Sequence, residues 1–149
     1  MHFKINMSKL CGKVKLSGAK NSVLRLLAAS LLSDGKIKIQ NYPSGLLDAR
    51  VHVGMIEKLG KSCKIIDEET IAIEENKNLD SVLEWDDRSI RNTLLILGAL
   101  TTRTGEGAVP LPGGCKLGER KFDLHEILLQ ARRLVITHGV EFQQDLRAG

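Results

Sequence analysis

A cysteine lies in a glycine-rich loop in the last third of the chain. Cys115 sits within residues 112–118, a segment that contains three glycines. Glycine lets a backbone turn sharply or approach a ligand closely, so a thiol in such a loop is expected to be accessible. Lys116 and Arg120 are close in sequence, and cationic neighbours lower the pKa of a thiol and favour the reactive thiolate. The pattern favours a reactive cysteine over an ordinary surface thiol.

A second candidate site is the turn at residues 17–22, where Lys20 and Asn21 enter a predicted helix. Backbone N–H groups at a helix N-terminus attract anions, and a lysine there adds a full positive charge. A phosphate or carboxylate ligand would suit this turn. The plainer interpretation makes Lys20 a solvated turn residue and Asn21 a helix cap. Taken alone, the segment favours the plainer interpretation.

Further charged residues lie at the entries of two later helices. Arg91 opens one of them, where the helix dipole disfavours a cation, and this points weakly to an anionic partner. Asp123 and His125 follow Arg120 at the entry of the next. Asp123 suits a helix cap in either case, whereas His125 is either a ligand contact or a surface residue.

Hydrophobic periodicity predicts the elements that position these residues. Val14 and Leu16 alternate with lysines and predict a strand, which leads into a helix over residues 22–32. On that helix one face carries the spacing i, i+3, i+4 and i+7, widened by three further residues: Leu24, Leu27, Ala28 and Leu31, with Val23, Leu26 and Leu32. A strand at residues 37–39, a helix over 48–59 and a hairpin of strands at 63–66 and 70–73 complete a first unit of about residues 12–75.

A second unit is predicted over about residues 79–134, with a tail at 135–149. It holds a helix over 89–100, a strand over 108–111 and a helix from 123. The fold class is therefore α/β (α+β), built from strand–helix–strand–helix–strand–strand units. The length of 149 residues suits one domain rather than two.

Composition limits the partners and the compartment. No apolar run reaches the ~20 residues that span a bilayer, and residues 1–9 do not resemble a signal peptide, so a cytoplasmic location without membrane contact is expected. The odd number of cysteines, three, together with the lack of an export signal argues against a disulfide framework, and the absence of a CxxC pair argues against a structural zinc site. The net charge of +4 comes with only 3% aromatic residues and scattered lysines and arginines, which favours a small anionic ligand over nucleic acid.

Two sequence strings resemble motifs of the enolpyruvyl transferase family. They are residues 16–22 (LSGAKNS) and residues 111–120 (LPGGCKLGER), the latter followed by Asp123, Leu124 and His125. Arg91 and residues 97–100 fall at matching places between them, so the resemblance runs over about residues 12–125. It implies a partial inverted α/β prism domain with about two of the family's six βαβαββ units. The proline-glycine-glycine-cysteine loop favours the branch that acts on UDP-N-acetylglucosamine over the branch in the shikimate pathway.

The resemblance also implies a reaction and a site. The enolpyruvyl group of phosphoenolpyruvate would pass to the 3-hydroxyl of UDP-N-acetylglucosamine, the first committed step toward peptidoglycan, with no metal or organic cofactor. Cys115 would donate a proton, form a phosphoenolpyruvate adduct and be the target of fosfomycin. Lys20 and Arg120 would bind phosphoenolpyruvate, with Asn21 beside Lys20. The UDP-sugar would be held by Arg91, Arg120, Lys121, Phe122, Asp123, Leu124 and His125.

The chain departs from the family pattern in two ways. Lys121 stands where the family usually has a proline, which would loosen the segment near the sugar. The middle of the family's chain has no counterpart, and the tail resembles pieces from the family's C-terminal region, so Arg147 would match an arginine that contacts phosphoenolpyruvate. We therefore expect weak or absent turnover by the chain alone. The alternatives are activity through self-association or a partner that supplies the missing domain, and a non-catalytic remnant or regulatory module.

Overall fold

The computed structural model describes residues 3, 4, 6, 9, 11–87, 92–112, 124, 127, 128, 130, 134–137 and 141–144. Its elements, in chain order, are α1 (Lys20–Ala29), a 3₁₀ turn (Ser30–Leu32), β1 (Ile37–Gln40), α2 (Leu47–Lys58), β2 (Lys61–Asp67), β3 (Thr70–Glu75), α3 (Thr93–Thr104), β4 (Glu106–Ala108), β5 (Leu134–Thr137) and β6 (Glu141–Gln144). The predicted mixed α/β class is confirmed.

The first sheet is antiparallel, with β3 in the centre and β1 and β2 at its edges. Alternate residues of these strands point to opposite faces. The inner face is apolar because Ile39 pairs with Ile71, and Ile37 pairs with Ile73. Ile71 and Ile73 are fully buried among residues of α1, α2 and α3. The helices predicted over 22–32 and 48–59, the strand at 37–39 and the acidic hairpin are all present in this sheet and its covering layer, although α1 and α2 begin slightly earlier, at Lys20 and Leu47.

Two predictions for the start of the chain are wrong. Residues 13–16 form no strand, and none of the strands in the described ranges pairs with them. Val14 and Leu16 are 85% and 79% exposed, so their alternation has no sheet to join. On α1, the residues with the i, i+3, i+4 and i+7 spacing are buried, as is Val23, but Leu26 and Leu32 are exposed. Leu26 lies about half a turn away from Leu24 and so faces solvent.

The second sheet is also antiparallel and has β6 between β4 and β5. The strand predicted at 108–111 is shifted: β4 ends at Ala108, where its pairing with β6 ends, and Leu111 is 61% exposed. α3 begins later than predicted and ends at Gly105, whose φ of 83° is the left-handed conformation that glycine adopts readily. Of the helix predicted from Asp123, residues 124, 127, 128 and 130 are described, and all four are helical.

An ionic cluster of Lys61, Glu75 and Arg103 links the first sheet to α3. Lys61 and Glu75 face each other across β2 and β3 on the inner face, with 2.8 Å between Nζ and Oε2. Lys61 Nζ also donates to the carbonyl of Ser33, and Arg103 of α3 donates to Glu75 Oε1 at 3.2 Å. The Lys61 side chain is only 1% exposed, so the Glu75 carboxylate and the Ser33 carbonyl replace the water that its ammonium group has lost.

Candidate active site

The turn before α1 is held against the turn before α2 by a contact that requires glycine. A Cβ atom on Gly18 would overlap the carbonyl oxygen of Asn41 and lie 3.1 Å from Cδ of Pro43. The residue at 18 therefore brings two backbone segments together more closely than any side chain allows. The same two turns lead into α1 and α2, so this contact sets where the two helices begin relative to each other.

The hairpin between β2 and β3 supports both turns. Lys15 Nζ donates to both carboxylate oxygens of Glu69, at 2.6 and 2.8 Å. The backbone N–H of Tyr42 donates to the carbonyl of Glu69 at 2.7 Å, and the Ser44 hydroxyl donates to the carbonyl of Glu68 at 3.2 Å. The acidic hairpin, predicted only as a connection, thus anchors the segment that precedes α1.

Lys20 is the first residue of α1 and lies where a bound anion is favoured. Ala19 is the N-cap and offers no side-chain acceptor, and the first turn of the helix contains no acidic residue. The positive end of the helix dipole is therefore not offset by the helix itself. The interpretation of Asn21 as a helix cap is wrong, because Asn21 is the second residue of the helix and is exposed.

A carboxylate from the second helix contacts Lys20. The Nζ atom of Lys20 forms an ion pair with Oδ2 of Asp48, a residue in the first turn of α2. The side chains are 56% exposed for Lys20 and 22% exposed for Asp48, so the ammonium group still faces solvent. Asp48 is not among the site residues predicted from the sequence, because an acidic residue in the first turn of a helix is already explained by the helix dipole.

Most of the predicted site lies outside the described residues. This applies to Cys115, which was predicted to react, and to seven predicted binding residues: Arg91, Arg120, Lys121, Phe122, Asp123, His125 and Arg147. Leu124, predicted near the UDP-sugar, is helical and 75% exposed. Of the predicted site residues, the structure therefore brings together Lys20 and Asn21, and adds Asp48 to them.

The two described cysteines differ in their fitness for chemistry. Cys63 lies in β2, where burial above all, with Glu57 nearby, raises the pKa of its thiol to about 12. A thiol that stays protonated at neutral pH is a poor nucleophile. Cys11 is a free, exposed thiol outside any strand. Within the described ranges no group of side chains is arranged to hold a metal ion.

The sequence matches a family of carboxyvinyl transferases. The family model described as EPSP synthase (3-phosphoshikimate 1-carboxyvinyltransferase) matches residues 5–132. The chain belongs to this enolpyruvyl transferase family. The match ends before the tail begins, so the predicted likeness of residues 135–149 to the family's C-terminal region stays a prediction.

Relatives point to one branch of that family. The chain is 40% identical over 119 residues to a UDP-N-acetylglucosamine 1-carboxyvinyltransferase of Campylobacter hominis, which covers 79% of this chain and 28% of the relative. It is 42% identical to the enzyme of that name from Prochlorococcus marinus subsp. pastoris, over 83% of this chain and 27% of the relative. A third, from Sulfurovum, is 38% identical over 87% of this chain and 30% of the relative.

A solved structure shows the same fold. The enolpyruvyl transferase NikO from Streptomyces tendae superposes with a TM-score of 0.67 at 21% identity, over 91% of this chain and 30% of that one. The chain thus spans between a quarter and a third of the length of the relatives named here. In the described ranges no helix is both long enough and apolar enough to cross a bilayer.

Proposed function

We propose that this chain carries part of the site that transfers the enolpyruvyl group from phosphoenolpyruvate to the 3-hydroxyl of UDP-N-acetylglucosamine. The observation that carries the proposal is the placement of Lys20. It occupies the matching place in the family motif, begins a helix without acidic residues in its first turn, and keeps an exposed ammonium group. The names of the relatives support the choice of reaction. Peptidoglycan synthesis in the cytoplasm, with roles in cell shape and division, would follow.

The roles in the proposed site follow from the charges of the substrates. Both substrates are polyanions, so cationic side chains must hold them. Lys20 and Arg120 would bind the phosphate and carboxylate of phosphoenolpyruvate, with Asn21 beside them and Arg147 a further contact. The UDP-sugar would lie against Arg91 and residues 120–125. Fixed cations would stabilise the charge that develops as the carbon–oxygen bond to phosphate breaks, without reorganisation of solvent.

Cys115 is proposed to donate the proton to the methylene carbon of phosphoenolpyruvate. A thiol with a pKa close to the ambient pH suits general acid catalysis, since both protonation states are then populated. Neither described cysteine suits this role. The thiol of Cys63 has a pKa of about 12, and Cys11 precedes the first family motif in the sequence. Fosfomycin sensitivity would follow if Cys115 attacks the epoxide.

A second function has its own supporting observation. The chain spans under a third of the relatives' length, and large apolar side chains of the described part are exposed, among them Val14, Leu16 and Leu111. Catalysis between two substrates gains rate from precise positioning and exclusion of water, which a quarter of an enzyme supplies poorly. The alternative is therefore a weakly active or inactive module that keeps partial binding of the UDP-sugar and phosphoenolpyruvate, or one that acts after self-association.

Fosfomycin labelling followed by mass spectrometry tests the proposal and separates the two functions. We expect one adduct on Cys115, formed faster when UDP-N-acetylglucosamine is present, because an assembled site would bring the sugar next to the thiol. Buried Cys63 and exposed Cys11 serve as internal controls that should stay unlabelled. Labelling of Cys115 by iodoacetamide but not by fosfomycin favours the inactive module. A phosphate-release assay then measures turnover, which we expect to be weak for the chain alone.

A further inference from the structure

We propose that Asp48 is a positioning residue for Lys20: its carboxylate fixes the ammonium group at the start of α1 in the place where it meets the anionic group of the substrate. This inference rests on the proposed function, because it assigns a purpose to the Lys20–Asp48 ion pair only if Lys20 binds an anion. It adds to the site a residue that the sequence motifs did not include.

The geometry separates this pair from an ordinary surface ion pair. Asp48 lies in a first turn of its own helix, and its side chain is 22% exposed, less than half the value for Lys20. The carboxylate is thus the better-fixed partner and the ammonium the more open one. An exposed lysine pair contributes little to stability, because holding a long side chain costs conformational entropy. The pair therefore serves to restrict where Lys20 points.

The chemistry of lysine leaves room for a ligand in the same arrangement. An ammonium group has three N–H donors and no acceptor. Contact with Oδ2 of Asp48 uses part of this donor capacity, and because the Lys20 side chain is 56% exposed, an incoming anion can reach the remaining donors. The positive end of α1 favours an anion at the same place. Asp48 and the ligand would then bind Lys20 from two sides rather than compete for it.

The backbone around the pair is fixed independently. The close Gly18–Asn41 contact fixes the segment that leads into Lys20. The turn that follows Asn41 is closed by the N–H of Leu46, which donates to the carbonyl of Pro43 at 3.0 Å, and leads into Asp48. With both backbones in place, the side chain of Lys20 is the remaining flexible part of this corner, and Asp48 is the group that restrains it.

Calorimetric titration with phosphoenolpyruvate tests the inference. We expect Asp48→Asn to bind phosphoenolpyruvate about threefold to tenfold more weakly than the unmodified chain, because the freed lysine must be ordered on binding. Lys20→Ala should lose about tenfold or more, since it removes the charged donor itself. Unchanged or tighter binding by Asp48→Asn, with Lys20→Ala impaired, would overturn the positioning role and leave the proposed function intact.

A double variant distinguishes positioning from a structural role. Asp48→Asn also removes a favourable charge from the first turn of α2, so its thermal midpoint should fall slightly. The double variant Leu47→Glu/Asp48→Asn restores a negative charge to the first turn of α2 at the exposed position 47. This position lies about 100° around the helix axis from position 48. The midpoint should recover while the affinity stays low. Recovery of both the thermal midpoint and the affinity would contradict the positioning role of Asp48. If the unmodified chain does not bind phosphoenolpyruvate, or if Lys20→Ala binds it fully, the proposed role of Lys20 and this inference are both overturned.

Discussion

The two sheets share one strand order but differ in how the candidate residues around them are held. The third strand is central in each sheet, β1–β3–β2 and β4–β6–β5, and the outer pairs join residues at similar separations, Ile37 with Ile73 and Gly107 with Phe142. In the first sheet, the segment between β1 and β2 contains α2, and the Gly18–Asn41 contact holds its first turn against the start of α1. Strand order alone therefore does not place a site, since the corner that presents Lys20 depends on tertiary contacts made by this segment.

This difference matters for the proposed site, because its residues are divided between the two regions. Lys20, Asn21 and Asp48 belong to the first region. Cys115 and residues 120–125 come between β4 and β5 in the sequence and so belong to the second region. The first region is expected to keep its corner under changes that disturb the second. The two regions meet in a shared hydrophobic core and at the ionic cluster, where Arg103 of α3 pairs with Glu75 of β3.

The largest effect is expected from Glu75→Gln, which removes the carboxylate shared by Lys61 and Arg103. Lys61 would be left buried and charged without a counter-ion, and Arg103 of α3 would lose its link to β3. Breaking a buried ion pair in this way costs roughly 3 to 5 kcal/mol. Urea unfolding followed by fluorescence of Trp85, the one tryptophan of the chain, measures the free energy of unfolding.

Glu74→Gln is the matched control for that variant. Glu74 is the next residue on the same strand, but it faces outward and pairs with Lys36, with both side chains more than half exposed. Removal of an exposed pair should change the free energy of unfolding by about 0.5 kcal/mol or less. Equal losses in the two variants would show that the two regions are not joined through Glu75.

A smaller effect, dependent on pH, is expected from His52 of α2. This residue is fully buried, neither ring nitrogen has a hydrogen-bond partner, and burial lowers its pKa from 6.5 to about 4. Between these two values the unfolded chain binds a proton at His52 that the folded chain does not. The free energy of unfolding should therefore fall as the pH decreases through this window, by about 2 to 3 kcal/mol in total, and level off below it.

His52→Leu tests that contribution without creating a large cavity. Leucine has a similar volume and needs no hydrogen-bond partner, so stability at pH 7 should be unchanged or higher by about 1 kcal/mol. The part of the acid destabilisation that arises at residue 52 should disappear. Urea titrations at pH 7, 6, 5 and 4 compare the two proteins, and an acid dependence identical in both would exclude His52 as its source.

Sequence periodicity predicted the first region well, because its pattern and its packing agree. Leu27 and Leu31 are fully buried where the helical spacing placed them, and Ile37 and Ile39 lie on the strand that their alternation with lysines predicted. The strand at 13–16 failed for the converse reason. Alternation shows that a segment is suited to a sheet, but pairing also needs a neighbouring strand with free backbone groups.

The site was less predictable than the fold, because its partners are distant in sequence. Motif resemblance identified Lys20, yet nothing in the order of residues places Asp48 against it, since they are joined only when α1 packs on α2. Gly18 was seen as part of a turn, but the close approach to Asn41 that explains it depends on the tertiary structure. The two strands of the tail were also missed, because no pattern in residues 135–149 marks which strand they would join.

The smallest effect compares a glycine in each region. Gly98 lies inside α3, and an added Cβ atom would meet nothing within 4 Å. Gly98→Ala should therefore raise the free energy of unfolding by roughly 0.5 to 1 kcal/mol, because alanine loses less backbone entropy in a helix. Gly54 lies inside α2, where a Cβ atom would be 2.9 Å from Cη2 of Trp85. Gly54→Ala should lose that gain or destabilise the protein, as the ring must move. Urea unfolding of both variants measures the difference, and the fluorescence of Trp85 should shift only in Gly54→Ala. An equal gain in the free energy of unfolding from both substitutions would mean that the indole ring of Trp85 does not pack tightly against α2 at Gly54.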